Sequence, residues 1–141
     1  MSNPPLNLPP CNLTLREDEV LDIVRKRYVA LTPEEWVRQH VVHALHYALG
    51  YPLELLQVEG AITLNGMTRR CDIVVYNKEV HPLMIVECKQ PEVPLSQKVL
   101  DQASRYNLVL QVPYLYLTNG LQHLVLKNNT VIPQLPLWSE L

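Results

Sequence analysis

The chain has 141 residues, of which 48% are apolar and 18% charged, and its formal net charge is −2. This length and composition fit one folded domain and exclude a disordered chain. A charge so close to zero excludes a protein-wide basic field, so any nucleic-acid site must be a local patch. Three widely spaced cysteines favour a reducing cytoplasm over a disulfide framework or a structural zinc site. The apolar stretches are too short and too interrupted for a membrane span, so we expect no membrane partner.

The N-terminal region predicts an arm followed by a helix. Four prolines fall in the first ten residues, which predicts an extended proline-rich arm over 1–14 ahead of a single domain over 15–141. A basic run at 25–27 suits either DNA or a solvated helix face. Apolar residues at helical spacing predict an amphipathic helix over 17–31: Val20, Leu21, Val24 and Tyr28.

A clearer helix is predicted from Thr32 to about residue 49. Thr32 is a good N-cap, Pro33 suits the first helical position, and Glu35 would complete a capping box. Gly50 supplies the C-terminal stop. At 100° per residue Glu34 aligns with the apolar face and Glu35 lies toward the polar side, so Glu34 is the preferred acid to face the sheet. The alternative is that an acid in the first turn only favours the helix dipole.

The rest of the chain predicts a sheet and one more helix. Asn65-Gly66 is a strong hairpin signal between two strands, and Ser96 can cap a helix over about 97–110. The order of elements predicts an α/β fold, a mixed β-sheet flanked by helices. The expected strands lie at 55–64, 69–76, 82–89, 113–118 and 121–127, with a short last strand after Asn128-Asn129.

Charged residues mark the ends of two predicted strands. Glu87 and Lys89 share one strand face, and Arg70 and Asp72 share a face of their own strand. Neighbouring strands would bring Asp72, Glu87 and Lys89 to one sheet edge. Two buried carboxylates repel unless a cation lies between them, and Mg²⁺ suits such a pair. A lysine beside them can stabilise charge on a phosphate, which is the chemistry of phosphodiester hydrolysis. The alternative is a solvated strand with a weak surface ion pair.

The predicted helix at 97–110 carries a glutamine inside an apolar stripe. Gln102 there needs a buried partner, which is either the site or a loop carbonyl, and Tyr106 is either part of the site or core. The stripe comprises Leu95, Val99, Gln102, Tyr106 and Val109.

Two other groups of residues have open interpretations. His40, His43 and His46 lie on one helical arc, where they could bind zinc or a transition metal or could pack against a loop or a second subunit. Arg69 and Arg70 precede Asp72 and are either phosphate contacts or ordinary surface arginines.

Several motifs resemble those of the PD-(D/E)xK nuclease superfamily: "CDIVVYN", "LMIVECK" and "DQASRYN". In this resemblance Asp72 matches the motif aspartate, Glu87-x-Lys89 the E-x-K pair, and Gln102-x-x-x-Tyr106 the QxxxY element. Over roughly 15–127 the chain also resembles the N-terminal nuclease domain of type I restriction enzyme R subunits, through "LTPEEWVRQ", "LGYP", "RRCDIVVY", "VECKQP" and "YLTNG".

This resemblance implies a restriction-endonuclease-like core that cleaves DNA with Mg²⁺ or Mn²⁺. The implied metal ligands are Asp72, Glu87 and the backbone carbonyl of Cys88, and Lys89 would handle the nucleophilic water. The implied supporting residues are Glu34 or Glu35 for the metal waters, and Gln102 and Tyr106 for the lysine or the DNA.

The sequence differs at two points from the families that it resembles. Cys71 stands where the superfamily often has a proline before the motif aspartate. R subunits carry a motor after this domain, whereas this chain ends at Leu141, so we expect a partner such as a motor or specificity subunit. Cutting both strands would need a homodimer, because one site cuts one strand. The alternative function is a catalytically weak or inactive DNA- or protein-binding module on the same fold.

Overall fold

The computed structural model describes residues 3–141 and contains two sheets and two α-helices. The small antiparallel sheet has the order β1 (Leu15–Arg16), β2 (Glu19–Asp22), β3 (Arg27–Ala30). The main sheet has the order β4 (Leu56–Leu64), β5 (Met67–Tyr76), β6 (Pro82–Cys88), β7 (Tyr114–Thr118), β8 (His123–Lys127), β9 (Thr130–Ile132). The helices are α1 (Pro33–His43), which continues as a π-helical segment over Ala44–Ala48, and α2 (Gln97–Leu110). Within residues 3–141 neither helix is long and apolar enough to cross a membrane.

The main sheet is mixed, with a helix on each face. Strands β6 and β7 are parallel and every other neighbouring pair is antiparallel. Parallel neighbours need a crossover connection, and α2 provides it. One core cluster contains Val37 and Leu45 of the α1 region, and the other contains Ala103 and Leu110 of α2. The predicted α/β fold with a mixed sheet flanked by helices is therefore confirmed.

Residues 17–31 do not form the predicted helix; this prediction is wrong. They form the β2–β3 hairpin, in which Asp22 pairs with Arg27. The Asp22 side chain accepts hydrogen bonds from the backbone N–H groups of Val24 (2.8 Å) and Arg25 (2.9 Å). An aspartate that bonds the following backbone in this way favours a turn over a helix. The basic run at 25–27 is accordingly not a helix face, and Arg25 is half-buried.

Helix α1 begins and ends as predicted, but its capping box is incomplete. The Thr32 hydroxyl accepts from the backbone N–H of Glu35 at 3.0 Å, and Gly50 follows the helical segment with φ +82°. The Glu35 carboxylate does not return to the cap. It is buried, against expectation, and accepts from the Gln39 amide at 3.0 Å and from Arg25 at 3.1 Å. The Arg25 guanidinium, which lies outside the helix, draws this carboxylate inward.

Helix α2 follows its Ser96 cap as predicted, but it buries a different face. Gln102 is exposed, and the buried amide belongs to Asn107. The Asn107 side chain donates to the carbonyl of Val112 at 3.0 Å and accepts from its N–H at 3.1 Å. These two bonds satisfy the amide at the helix end, so the predicted buried stripe through Gln102 is wrong.

The side-chain alternation of β5 breaks at Asp72. Cys71 and Ile73 are two positions apart and would normally share a face, yet they belong to different core clusters. Strand β4 breaks at the facing position, where Glu59 has φ +54°. The break turns Asp72 and Glu59 toward the α1 side of the sheet.

Residues 3–14 form an arm without regular secondary structure that lies on the main domain. The N–H of Asn7 donates to the carbonyl of Gly120 at 2.8 Å, and the indole N–H of Trp36 donates to the carbonyl of Pro4 at 2.9 Å. Leu6 and Leu8 pack against the α1-side core. Residues 1–2 of the predicted arm lie outside the described residues, and the boundary between arm and domain stays a prediction.

Candidate active site

Asp72 and Glu87 lie side by side where strands β5 and β6 separate. The last paired residues of the two strands are Ile73 and Val86, so the acids occupy the next position along each strand. The backbone N–H of Cys88 donates to Asp72 Oδ2 at 2.7 Å, which fixes that carboxylate at the end of β6. The predicted meeting of these two acids is present in the structure.

The Glu87 carboxyl is in an environment that disfavours its charge. Its side chain is only 12% exposed. Burial, and in addition the neighbouring Asp72 carboxylate, raise the pKa of Glu87 to about 7, even though Arg69 acts in the opposite direction. A cation between the two carboxylates would relieve this strain.

Glu34 reaches the same site from the first turn of α1. Burial and the Asp72 carboxylate raise the pKa of Glu34. The charges of Arg38 and Lys89 act on Glu34 in the opposite direction. Asp72 is therefore close to one acid on the helix and another on β6. Glu35, the weaker candidate, points away into an ionic network and does not join this group.

Lys89 and Gln102 line one small pocket together with Glu87. The N–H of Lys89 donates to the carbonyl of Thr118 at 2.8 Å, which continues the pairing of β6 with β7. Cys88 points to the opposite side and is buried in the α1-side core, and burial raises its pKa well above the ordinary value. The pocket is lined by Arg69, Glu87, Lys89, Val99, Gln102, Ala103 and Leu117.

Arg69 is the main residue of the pocket that the sequence left ambiguous. Its Nη2 lies 2.9 Å from Glu87 Oε1, and its guanidinium carbon lies 4.1 Å from the centre of the Tyr106 ring. Tyr106 thus contributes through Arg69, as a cation–π partner. Arg70, the weaker candidate, is 73% exposed and lies 3.7 Å from Glu59 Oε2. Only the first of the two arginines belongs to the pocket.

Arg38 connects the helix to the acids of the sheet. Its guanidinium lies 3.2 Å from Glu35, 3.0 Å from Glu59 and 3.9 Å from Asp72. It also lies 3.5 Å from Glu34. Sequence reasoning missed this residue, although its positions three and four residues after the two glutamates are the helical signal for such pairs.

Arg25 extends the same network to the small sheet. It pairs with buried Asp22, with Glu35 at 3.1 Å and with Glu59 at 3.0 Å. Burial alone would raise the pKa of Glu59, but the charges of Arg38 and Arg25 lower it below its ordinary value. The hairpin of the small sheet is thereby tied to the helix that carries Glu34.

A family model described as "Type I restriction enzyme R protein N terminus" matches residues 33–136, which is most of the chain and includes Glu34, Asp72, Glu87 and Lys89. The chain belongs to this family. No match was found among curated proteins.

Two solved structures share the fold of this R-subunit N-terminal domain. The first is described as a fragment of an HsdR subunit of a type I restriction enzyme from Vibrio vulnificus, with 20% identity and a TM-score of 0.54. The alignment covers 75% of the present chain and 24% of that one, so the chain spans about a quarter of its length. The second is described as a nuclease of DUF820 from Anabaena variabilis, with 13% identity and a TM-score of 0.53, covering 92% and 88% of the two chains. The predicted restriction-nuclease-like core is confirmed at the level of the fold.

The donor set of this R-subunit domain fits a hydrated divalent cation. Within residues 3–141 no three histidine, cysteine or acidic side chains lie together as a ready-made metal cluster. Mg²⁺ does not require one, because it typically uses one or two carboxylates and keeps several waters. Asp72 and Glu87 supply two adjacent carboxylates. Burial, and then the Asp72 carboxylate, raise the pKa of Glu87, and a bound cation would favour its charged form.

The three histidines of the α1 region do not form a metal centre. The Nδ1 atoms of His40 and His46 each lie 2.7 Å from a backbone carbonyl oxygen, those of Trp36 and Tyr51. His43 is buried, and burial followed by the charges of the other two rings lowers its pKa. The packing interpretation of this stripe is therefore the better one for the described residues.

Proposed function

We propose that this domain is a metal-dependent deoxyribonuclease that hydrolyses phosphodiester bonds of DNA as part of restriction or defence. The observation that carries the proposal is the convergence of Glu34, Asp72, Glu87 and Lys89, which come from α1, β5, β6 and the residue after β6. The family membership supports a nuclease-related role, and the acid–lysine set supports hydrolysis rather than binding alone.

The acidic residues and the lysine would have different roles in this reaction. Mg²⁺ or Mn²⁺, when bound, supplies positive charge to the phosphate oxygens and acidifies water. Asp72 and Glu87, with the carbonyl of Cys88, would hold the ion. Lys89 donates hydrogen bonds to the attacking water or to a phosphate oxygen, which stabilises the charge that develops in the transition state.

The remaining side chains orient this group. Glu34 would accept hydrogen bonds from water bound in the site, and Arg38 lies at ion-pair distance from both Glu34 and Asp72. Gln102 lines the pocket beside Lys89 and can position it or the DNA. We further propose DNA as the substrate, a motor or specificity subunit as the partner that brings the domain to it, and a homodimer where both strands are cut.

Nicking of supercoiled plasmid tests the proposal. We expect cleavage with Mg²⁺ or Mn²⁺ and none with chelator, and Asp72→Asn and Lys89→Ala should each lower the rate by at least about 100-fold. Lys78→Ala and Glu79→Gln, at exposed positions in the turn between β5 and β6, are matched controls and should cut normally. Equal nicking by all proteins would contradict the assignment.

A second function is favoured by the charge pairing in the pocket. Arg69 neutralises Glu87 and Arg38 lies beside Asp72, so the acids have cationic partners without a metal. This arrangement also suits a DNA- or protein-binding module of weak or no activity. Fluorescence anisotropy with labelled DNA separates the two functions: binding that weakens steeply between about 50 and 200 mM salt, without cleavage, would favour the module.

A further inference from the structure

Arg69 pairs with one oxygen of Glu87, a carboxylate of the proposed metal site. Both Nε (3.3 Å) and Nη2 (2.9 Å) of Arg69 approach the same atom, Oε1 of Glu87. Two donors on one oxygen saturate it, because a carboxylate oxygen has two lone pairs. A cation that binds Glu87 through this oxygen must therefore displace the guanidinium or share the oxygen with it.

The guanidinium has a further contact inside the pocket. It stacks on the Tyr106 ring, and its side chain is only 21% exposed. Arg69 lies on β5, the strand that also carries Asp72, so its position relative to the site is set by the sheet and not by a loop. Its position beside the acids is therefore part of the built pocket.

Resting on the proposed function, we infer that Arg69 is the resident counter-cation of the metal site and competes with the divalent cation for Glu87. In the absence of metal it neutralises the buried carboxylate. When the metal binds, the guanidinium moves off Oε1 and keeps the Tyr106 ring as its contact. The affinity of the site for metal depends on the difference in free energy between these two arrangements. Because metal binding must break the Arg69–Glu87 pair, Arg69 lowers this affinity.

Equilibrium titration with Mn²⁺, followed by electron paramagnetic resonance of the free ion, measures this competition. Arg69→Gln should bind Mn²⁺ about tenfold more tightly than the natural protein. Arg69→Lys, which keeps the charge but loses the planar fork, should lie between them. Arg105→Gln removes the same charge from an exposed position next to Tyr106 and should leave the affinity unchanged. Unchanged or weaker binding by folded Arg69→Gln would overturn the inference.

The natural protein provides a second measurement that needs no variant. Addition of Mg²⁺ should shift the Nε–H resonance of Arg69 in a nitrogen–proton NMR spectrum, because its bond to Glu87 is lost. Saturation with Mg²⁺ that leaves this resonance in place would overturn the inference.

Plasmid nicking by the same preparations separates the inference from the proposed function. If the natural protein nicks DNA with metal but Arg69→Gln binds Mn²⁺ no more tightly, the inference fails and the nuclease assignment stands. If neither protein binds Mn²⁺ and neither nicks DNA, both fail.

Discussion

Glu87 has two charged neighbours, Asp72 and Arg69, and its own charge depends on these two and on its burial. Burial, and in addition the Asp72 carboxylate, oppose its ionisation more strongly than Arg69 favours it. The pKa of Glu87 is therefore about 7, and its carboxyl is partly protonated in the folded protein near neutral pH. A metal ion adds a second cation and would favour the charged form. The site is therefore most sensitive to pH at this single carboxyl.

The stability of the fold should report this pKa. Between the ordinary value of 4.5 and about 7 the folded protein binds more protons at Glu87 than the unfolded chain does. The contribution of Glu87 to the free energy of unfolding therefore falls as pH rises through this interval and is constant above it. Glu87→Gln removes this dependence, so its stability relative to the natural protein should increase by about 1–3 kcal/mol from pH 4.5 to 7.

Urea unfolding at several pH values measures this difference, with Glu79→Gln as the control. Glu79 is exposed in the turn between β5 and β6, so its variant should follow the natural protein at every pH. If the free energies of unfolding of Glu87→Gln and the natural protein differ by the same amount at low and neutral pH, the pKa of Glu87 is not raised in the folded protein.

At the level of residues, the sequence predicted the acids and the lysine but not their cationic partners. Asp72, Glu87 and Lys89 adjoin apolar strand residues, and this pattern predicted their meeting, although it did not predict the break in β5 at Asp72. Arg69 and Arg38 look like ordinary surface arginines in sequence. Their partners lie 18 and 34 residues away, at Glu87 and Asp72, and only the tertiary fold brings those pairs into contact.

At the level of elements, the β2–β3 hairpin depends on one buried aspartate. Asp22 is fully buried, bonds two backbone N–H groups of the turn and pairs with Arg25. Apolar residues around it also fit a helical period, which is why periodicity alone predicted a helix. The hydrogen bonds from the turn to Asp22 stabilise the hairpin, so the helix that the apolar spacing predicted does not form.

Two substitutions separate the roles of Asp22. Asp22→Ala removes both the turn acceptor and the buried ion pair and should lower the free energy of unfolding by about 3–5 kcal/mol. Asp22→Asn keeps an oxygen acceptor for the turn and should cost about 1–2 kcal/mol less than the alanine. Denaturant unfolding measures both, and Asp18→Ala, at an exposed position before β2, should change stability by no more than about 0.5 kcal/mol. Equal losses for Asn and Ala would show that the turn bonds contribute nothing.

At the level of the whole molecule, two long-range arrangements build the site. The β5–β6 register places Asp72 beside Glu87, and the packing of α1 on the sheet brings Glu34 to them. The hairpin signal at Asn65-Gly66 predicted the pairing of β4 with β5, whereas the register of β5 with β6 depends on the turn over residues 77–81. The contact between the N-terminal arm and Gly120 was not predictable, because no periodic pattern links residues more than a hundred positions apart.

Substitution of Gly120 tests how tightly the N-terminal arm packs against the main domain. It has φ +89°, and a Cβ built there would lie 2.7 Å from Leu6 Cδ2. Gly120→Ala should therefore cost about 2–3 kcal/mol, from backbone strain and from displacement of Leu6. Gly66→Ala, where φ is +80° with no atom within 4 Å, isolates the strain and should cost about 1 kcal/mol.

A double-mutant cycle in urea completes this test. Combining Gly120→Ala with Leu6→Ala should cost less than the sum of the two single changes by about 1 kcal/mol, because the shortened side chain makes room for the new methyl group. Strict additivity would mean that the arm does not rest on Gly120.

The docking of the arm has a consequence for biosynthesis. Asn7 is translated 116 residues before His123, whose ring nitrogen contacts its carbonyl oxygen. On the nascent polypeptide this segment therefore remains undocked until strand β8 has been synthesised and has left the ribosome.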